Sequence, residues 1–544
     1  MVRLLDDIRL AGILSIEPER PDNPSDPVGQ LKATASWRVT APLRRAKMVH
    51  SELRPEVASR GAALRARLLV VAPHLVGADD LASHSTLDIL ERLAAAVTGV
   101  GDDASLWLLL SASAGAFPEE GEFQALRREL VWARGTDVTR IVLDHAVALM
   151  DRAHTHYRAI DVCTDGIVVD VDYCATHGFT SGVQRVVREV LRRWRERDGL
   201  RLIAWDEVGL AMRDLDDDEI ERVTAWHRGH ARVISMRGAQ AVGTTVIPWR
   251  STVLLPEVAN ERYARPLAAL AARSGNRVVA IGYDTIPATD GFFVSREQSQ
   301  SFARYLTVIK NVDEIIAISE AAAEEFAGFA QAVAAQGLGG PAIEVLPLPE
   351  EVPGDGSAPS RPTALPLVLA VGSHEMRKNH VVIADAAEIL WREGLEFILL
   401  FAGGSGPEWY SDLDDRVTEL VLAGRTIAIV EGISDDELAE AYAAARVQVF
   451  VSLHEGFGLP VVESLAAGTP VITSNRGSLA EIAAAGGCVV VDPDSVGEIA
   501  DALRRLLTDD AERDRLRLEI AKRPQRSWDD YARTLWQIIE RGAR

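Results

Sequence analysis

Two glutamates, Glu455 and Glu463, stand eight positions apart at the centre of residues 451–481, VSLHEGFGLPVVESLAAGTPVITSNRGSLAE. The segment reads as strand, glycine loop, helix, strand and loop. Glu455 lies on the loop just after an apolar strand at 447–451. Gly456 and Gly458 let the backbone turn tightly and come close to a ligand. Pro460 suits the first turn of a helix, where its missing N–H costs nothing. Glu463 falls in that turn, and Val461, Val462 and Leu465 are available for packing. Free N–H groups at such a helix start suit a phosphate. Two carboxylates beside it suit hydroxyl groups better, as acceptors of charge-assisted hydrogen bonds. The loop therefore fits a molecule with phosphates in its middle and hydroxyls at both ends, such as a nucleotide sugar.

The pattern E-G-F-G-L-P-x-x-E followed by A-x-G-T-P-V-I-x-S closely resembles the C-terminal signature of family 4 retaining glycosyltransferases. Three further stretches resemble that family: VGSHEMRKNH (371–380), ELAEAYAAARVQVFVS (437–452) and RSWDDYARTLWQII (526–539). GFTSGVQRVVREVL, AIGYDTIP and VDEIIAIS resemble its N-terminal half more loosely. The resemblance covers roughly residues 165–544. It implies the α/β GT-B fold, two doubly wound Rossmann-like domains facing across a cleft, here with an N-terminal, mainly helical extension. The expected division is 1–160 for the extension, 161–350 for the acceptor-side domain, 351–525 for the nucleotide-sugar domain and 526–544 for a closing helix.

The elements that would position the motif follow the same rhythm. Residues 60–155 read mostly as helix, with apolar residues at helical spacing over 87–97, 123–131 and 138–150. His154 and His156 near the end of this stretch read as surface or capping groups. From Gly166, strands at 167–171, 200–205, 252–255, 277–281, 314–318 and 343–346 alternate with helices. A Pro-, Gly- and Ser-rich linker, 350–366, follows a first set of strands and precedes a second: 367–371, 397–402, 426–430, 447–451, 470–473 and 488–491. Helices at 496–507 and 526–541 are expected to pack back across both domains.

The leaving diphosphate needs positive charge or oriented N–H dipoles. Lys378 is one of five lysines, the others being Lys32, Lys47, Lys310 and Lys522. Arg377, Lys378 and Asn379 read either as a solvated helix start or as a diphosphate contact, and the resemblance favours contact. By resemblance Glu455 holds donor-sugar hydroxyls and Glu463 the ribose, while the backbone of Gly456, Phe457, Gly458 and Leu459 faces the donor. Family members often carry a basic residue just after the first glycine; here that place is Ser373, and Arg377 or an N-terminal-domain arginine is the expected substitute. Gly404 would allow close approach of the donor, and the loop carrying Gly432 and Ile433 would read the base edge. Gly182 opens a helix whose stripe is Val183, Val186, Val187, Val190, Leu191 and Trp194. Its loop suits donor phosphates, whereas Arg185, Arg188, Arg192 and Arg193 read either as an ordinary solvated face, which is favoured, or as a basic surface facing anionic lipid. Asp284 either orients the acceptor or caps its loop. Many relatives have a histidine just before it, and Tyr283 stands there instead. Ser319 reads as a helix N-cap.

A retaining hydrolase places its two carboxylates about 5–5.5 Å apart, one as nucleophile; the resemblance gives Glu455 and Glu463 different parts of the donor instead. Acidic runs at 412–415 and 214–219 read as helix surface, so no cofactor and no metal is expected. A net charge of −22 argues against a nucleic-acid partner. The three cysteines, Cys163, Cys174 and Cys488, are far apart and suit a reducing compartment. No stretch reaches the roughly 18–20 apolar residues that span a bilayer. A cytoplasmic location is expected, with peripheral contact at the inner face of the membrane left open. So is a homo-oligomer formed through the N-terminal region. The leading expectation is metal-independent, retaining transfer of a hexose from a nucleotide-sugar donor to a glycan or lipid-linked acceptor in cell-surface polysaccharide assembly. A non-catalytic, glycosyltransferase-like scaffold subunit and another GT-B enzyme such as an epimerase are the alternatives.

Overall fold

The computed structural model describes residues 54–77, 81–178, 181–224, 243–353, 365–404, 406 and 410–541. The segments expected at 21–30 and over most of the linker lie outside the described residues. The chain divides into two compact units. The first takes the described residues up to Phe117 and the stretches Gln124–Val162 and Ala239–Ile247, again where described; the second takes the rest.

The first unit is helical. Arg54–Val76 packs against Thr86–Val100 and Asp103–Ala114, and Thr136–Ala153 packs on both of the latter. Asp103–Ala114 is buried almost all round. It therefore carries no amphipathic period, which is why the spacing of apolar residues does not announce it. Its ends are marked instead: the Asp102 carboxylate accepts from Ala104 N and Ser105 N, and Gly115 closes it in the left-handed conformation. Arg67 is buried in this unit, where its guanidinium donates to the carbonyls of Ser113 (2.8 Å), Thr155 (3.0 Å) and Arg158 (3.1 Å). His154 closes Thr136–Ala153 at positive φ, and His156 Nε2 lies 2.6 Å from Asp151.

The second unit contains two doubly wound sheets. In its N-terminal half the strand order is Met212–Asp214, Leu200–Trp205, Ile167–Asp170, Thr252–Leu255, Arg277–Gly282, Glu314–Ala317, Ala342–Val345. All pairs are parallel except Met212–Asp214, which runs antiparallel to Leu200–Trp205. That strand is only three residues long, too short for an alternating pattern to reveal it. In the C-terminal half the order is Ile427–Val430, Ile398–Ala402, Leu367–Val371, Val447–Phe450, Val471–Ser474, Cys488–Val491, all parallel. The strands buried on both faces are near-continuous runs of Val, Ile, Leu and Ala, as parallel sheets require.

Each chain path starts in mid-sheet, runs to one edge and then returns to fill the other side. In the C-terminal half the reversal falls between Leu367–Val371 and Val447–Phe450. The loops leaving these two strands carry Arg377–Lys378 and Glu455. Open α/β sheets bind ligands in the crevice at such a switch point, outside the carboxyl ends of the strands.

The two terminal helices part company. Val496–Thr508 packs on His380–Arg392 within the C-terminal half, whereas Trp528–Arg541 packs on Gly182–Trp194 of the N-terminal half. Only the second makes the crossing expected of both. The reason is chemical: the Gly182–Trp194 helix presents Trp194, whose Nε1 donates to Ala532 O at 3.0 Å and whose ring meets Trp536 edge-on at 5.1 Å. The return is anchored beside the outgoing linker, where Arg523 forms a two-pronged pair with Glu350 at 2.9 Å.

Candidate functional site

The site begins with the loop after Leu367–Val371. Gly372 has φ +146°, a region that favours glycine, and a side chain there would begin 3.3 Å from the stem of Lys378. Gly403, from the neighbouring strand end, lies against the Gly372 carbonyl and has no room for a side chain. A short 3-10 turn, Met376–Lys378, then ends in Asn379 at φ 59°, before the helix His380–Arg392. Asn379 holds this turn by donating to Pro493 O at 2.7 Å. Leu453 N donates to Arg377 O at 2.9 Å, tying the turn to the glutamate loop.

Across the switch point, Glu455 lies between two cations. Lys378 Nζ is 2.6 Å from Oε1 and Arg377 Nη1 is 2.7 Å from Oε2. Burial alone would raise the Glu455 carboxyl; Arg377 and Lys378 outweigh it and hold the group down at about 2. Burial pushes the Lys378 ammonium down, opposed by Glu455. Arg377 loses to burial but gains more from Glu455 and Glu375, and rises. Lys378 also stands 4.9 Å over the Phe450 ring. Together they form a dense cluster of two cations on Glu455, with Glu375 3.3 Å from the other Arg377 amino nitrogen.

The glycine loop that follows touches the N-terminal half. A methyl group on Gly456 would overlap the Tyr283 carbonyl and stand 3.1 Å from Asp284 Cβ. Ser319 Oγ donates to Gly456 O at 2.6 Å and accepts from Ala322 N, so the expected N-cap is also a cross-link between halves. Phe457 is buried. Gly458 has φ +120° and lies against Leu479. Leu459 opens the helix Leu459–Ala466, and its side chain lies 3.8 Å from where a side chain on Gly182 would begin. Thus the glycine loops of the two halves face each other.

Glu463 sits on the buried face of that helix at 2% exposure. Tyr442 OH donates to its Oε2 at 2.7 Å, and Arg185 from the N-terminal half pairs with its Oε1. Burial lowers Arg185, but Glu463 and other acidic neighbours raise it by more. The arginines of the Gly182–Trp194 helix are therefore not a uniform solvated face. Arg185 reaches the site, and buried Arg188 donates to His177 O at 3.1 Å; Arg192 and Arg193 do pair near the surface with Glu189. Arg185 is an arginine of the other half, and its partner in the structure is Glu463. Ser373 Oγ itself donates to Glu375 at 2.6 Å.

Asp284 accepts from Ile286 N at 3.1 Å and so does cap its loop. Burial raises its carboxyl, and the charge of Arg377 pulls it back. Tyr283 turns into the core, where its OH donates to Pro256 O at 2.8 Å. Gly404 accepts from His374 N at 3.0 Å, beside the loop of Gly432 and Ile433; Gly432 has φ +68°, and Ile433 packs near Leu438 and Tyr442. The acidic run at 412–415 forms the first turn of Asp412–Leu422, while Glu219 is buried against Arg213 at 2.7 Å.

Sequence reasoning did not single out Tyr442, His454, Asp290 or Glu325, all of which bond within or beside the cluster. Tyr442 and Glu463 were each visible as members of resemblance motifs, but nothing in their spacing joins them.

Two doubly wound halves, with a carboxylate between two cations at the second switch point, define a GT-B-type α/β protein. Residues 358–523 match the family described as glycosyl transferases group 1. An O-antigen chain mannosyltransferase B from Escherichia coli is 34% identical over 167 residues, which are 30% of this chain and 42% of that one. An MMP alpha-(1->4)-mannosyltransferase from Mycolicibacterium hassiacum is 45% identical over 87 residues, 16% of this chain and 21% of that one. The chain thus spans less than half the length of these curated relatives. A solved sucrose-phosphate synthase from Thermosynechococcus elongatus is 19% identical, with a TM-score of 0.48 over 69% of this chain and 98% of that one. Among the described residues no helix is long and apolar enough to cross a membrane.

Proposed function

We propose that this protein is a retaining glycosyltransferase that moves a hexose from a nucleotide sugar to a hydroxyl of a glycan or glycolipid in cell-surface polysaccharide assembly. The observation that carries this reading is Glu455 held between Lys378 and Arg377 at the switch point, ahead of the helix start at Leu459. In the reaction, the acceptor oxygen bonds to the sugar's anomeric carbon as the bond to the diphosphate oxygen breaks. The acceptor proton passes to the departing phosphate. Charge grows on the diphosphate, and Lys378, Arg377 and the N–H groups of the Gly458–Leu459 turn meet it. Glu455, kept ionised by its cations, accepts hydrogen bonds from donor-sugar hydroxyls. Glu463 is assigned to the ribose; for this, one of its present partners gives way, and Arg185 is then free to turn to phosphate.

Because the cluster supplies two cations of its own, we propose that transfer does not depend on a bound metal. The mannosyltransferase relatives make a mannosyl nucleotide the first donor to test. Calorimetric titration of the full chain with a panel of nucleotide sugars, with and without magnesium, tests the donor. NMR of the product's anomeric configuration tests retention. Metal-free binding of one donor, weakened in Lys378→Ala and Glu463→Ala, supports the reading; no binding to any donor overturns it.

A further inference from the structure

The glutamate loop is joined to the N-terminal half by a side chain that the transfer chemistry leaves unused. The ring of His454, the residue before Glu455, meets carboxylates at both nitrogens. Nδ1 bonds Asp290, which follows the short helix Ile286–Thr289, and Nε2 lies 2.6 Å from Glu325 Oε1 on Glu320–Ala334. The other Glu325 oxygen accepts from Thr285 N and Thr285 Oγ1, each at 2.7 Å. On its backbone side, His454 O accepts from Arg377 Nη1 at 2.8 Å, and that same nitrogen pairs with Glu455. A continuous bonded path therefore runs from Thr285, the neighbour of Asp284, through Glu325, His454 and Arg377 to Glu455.

An imidazole with an acceptor at each nitrogen is best satisfied when both carry protons. The hydrogen bond to Glu325, opposed by burial and reinforced by Asp290, pushes His454 up to about 9. Burial would raise Glu325, but His454 and Thr285 hold it below its usual range. The charged groups around the ring are Asp290 and Asp284 from the loop after Arg277–Gly282, Glu325 from Glu320–Ala334, Arg377 with Glu375 and Lys378 from the turn before His380, and Glu455 beside it.

We propose that His454 is a positioning residue whose side chain clamps the Glu455 loop to the Thr285–Glu325 face, and so sets where the donor carbon meets the acceptor hydroxyl. This rests on the transfer reading above. The sign follows from the geometry. The ring's affinity for its proton is raised by folding, so the clamp is complete below about pH 6.5, the ordinary value for histidine. It is lost as pH rises through about 9.

The test uses the full chain labelled at histidine side-chain nitrogens, beside His454→Gln, Glu325→Gln and Asp290→Asn. We expect one imidazole to titrate near pH 9, to vanish in His454→Gln and to move down in the two carboxamide variants. With a donor that wild type turns over, kcat should fall about tenfold or more in His454→Gln, since small misplacements are costly. KM for the donor should stay within about threefold, and the alkaline limb of kcat near pH 9 should disappear. Unchanged kcat and pH profile in His454→Gln, or titration of that imidazole near 6.5, would overturn the clamp. If wild type binds no donor, the transfer reading falls, and the titration still decides whether the clamp exists.

Discussion

Lys378 and Glu455 are 77 residues apart in the chain and 2.6 Å apart in space. The pair joins the loops that leave the two strands at which the C-terminal sheet reverses. It also preorganises the site: the cation that would meet a departing phosphate is already fixed, and the carboxylate that fixes it is kept charged.

That pairing has a pH signature. The Glu455 carboxyl is held down at about 2 from an ordinary 4.5, so the stability it contributes is complete above about pH 4.5 and is lost as pH falls through about 2. The shift corresponds to on the order of 3 kcal/mol. Acid unfolding of Lys378→Met should show a shallower loss over that window, because only Arg377 then holds the carboxylate. At neutral pH the variant should be about 2 kcal/mol less stable. An identical acid limb in both proteins would contradict this.

Gly456→Ala should damage the protein without touching any charge. The new methyl overlaps the Tyr283 carbonyl, so one of the two loops must move. A cost of about 1–3 kcal/mol is expected, with loss of most transfer activity. Gly404→Ala is the control for stability alone, since nothing lies within 4 Å of the added methyl. Urea unfolding of the two variants side by side separates the effects.

Tyr442→Phe removes one proton donor from a buried carboxylate. Glu463 then keeps Arg185 but has an unfilled Oε2, at a cost of about 1–3 kcal/mol. If Arg185 gives way when the ribose arrives, Arg185→Ala should weaken nucleotide binding through lost phosphate contact. Calorimetry with the free nucleoside diphosphate reads this directly; an affinity equal to wild type would remove Arg185 from the site.

The closing helix should govern stability of the N-terminal half. Trp536 is buried against Trp194, so Trp536→Ala should cost about 3–5 kcal/mol. Leu518→Ala, on the exposed face of Asp510–Ile520, should cost less than about 0.5 kcal/mol. Thermal melts of the pair test the claim.

Much of this architecture is readable from local pattern. Short apolar runs bounded by turn residues mark the strands, so the runs at 200–205, 252–255, 367–371 and 488–491 are observed with the bounds their pattern predicts, and those at 252–255 and 367–371 are buried on both faces. The helix start at Leu459 is equally legible from Gly458 and Pro460. Such signals are carried by residues next to one another. Asp103–Ala114 lies in the stretch that reads as helix but shows no spacing of its own, because near-total burial erases periodicity; Met212–Asp214 escapes because three residues carry none.

What lies beyond local pattern is which distant side chains meet. The chain supplied Glu455, Glu463, Lys378 and Arg377 as candidates by type and motif. It held no sign that Tyr442 and Arg185 would take both oxygens of Glu463, or that Asp290 and Glu325 would grip His454. Those partners sit on or just after other helices, three of them in the other half, brought together by strand order and by the crossing of the Trp528–Arg541 helix. Side-chain charge and helical spacing are properties of neighbours along the chain. Ion pairing at 2.6 Å is a property of the packed sheets, and it emerges once they are folded against each other.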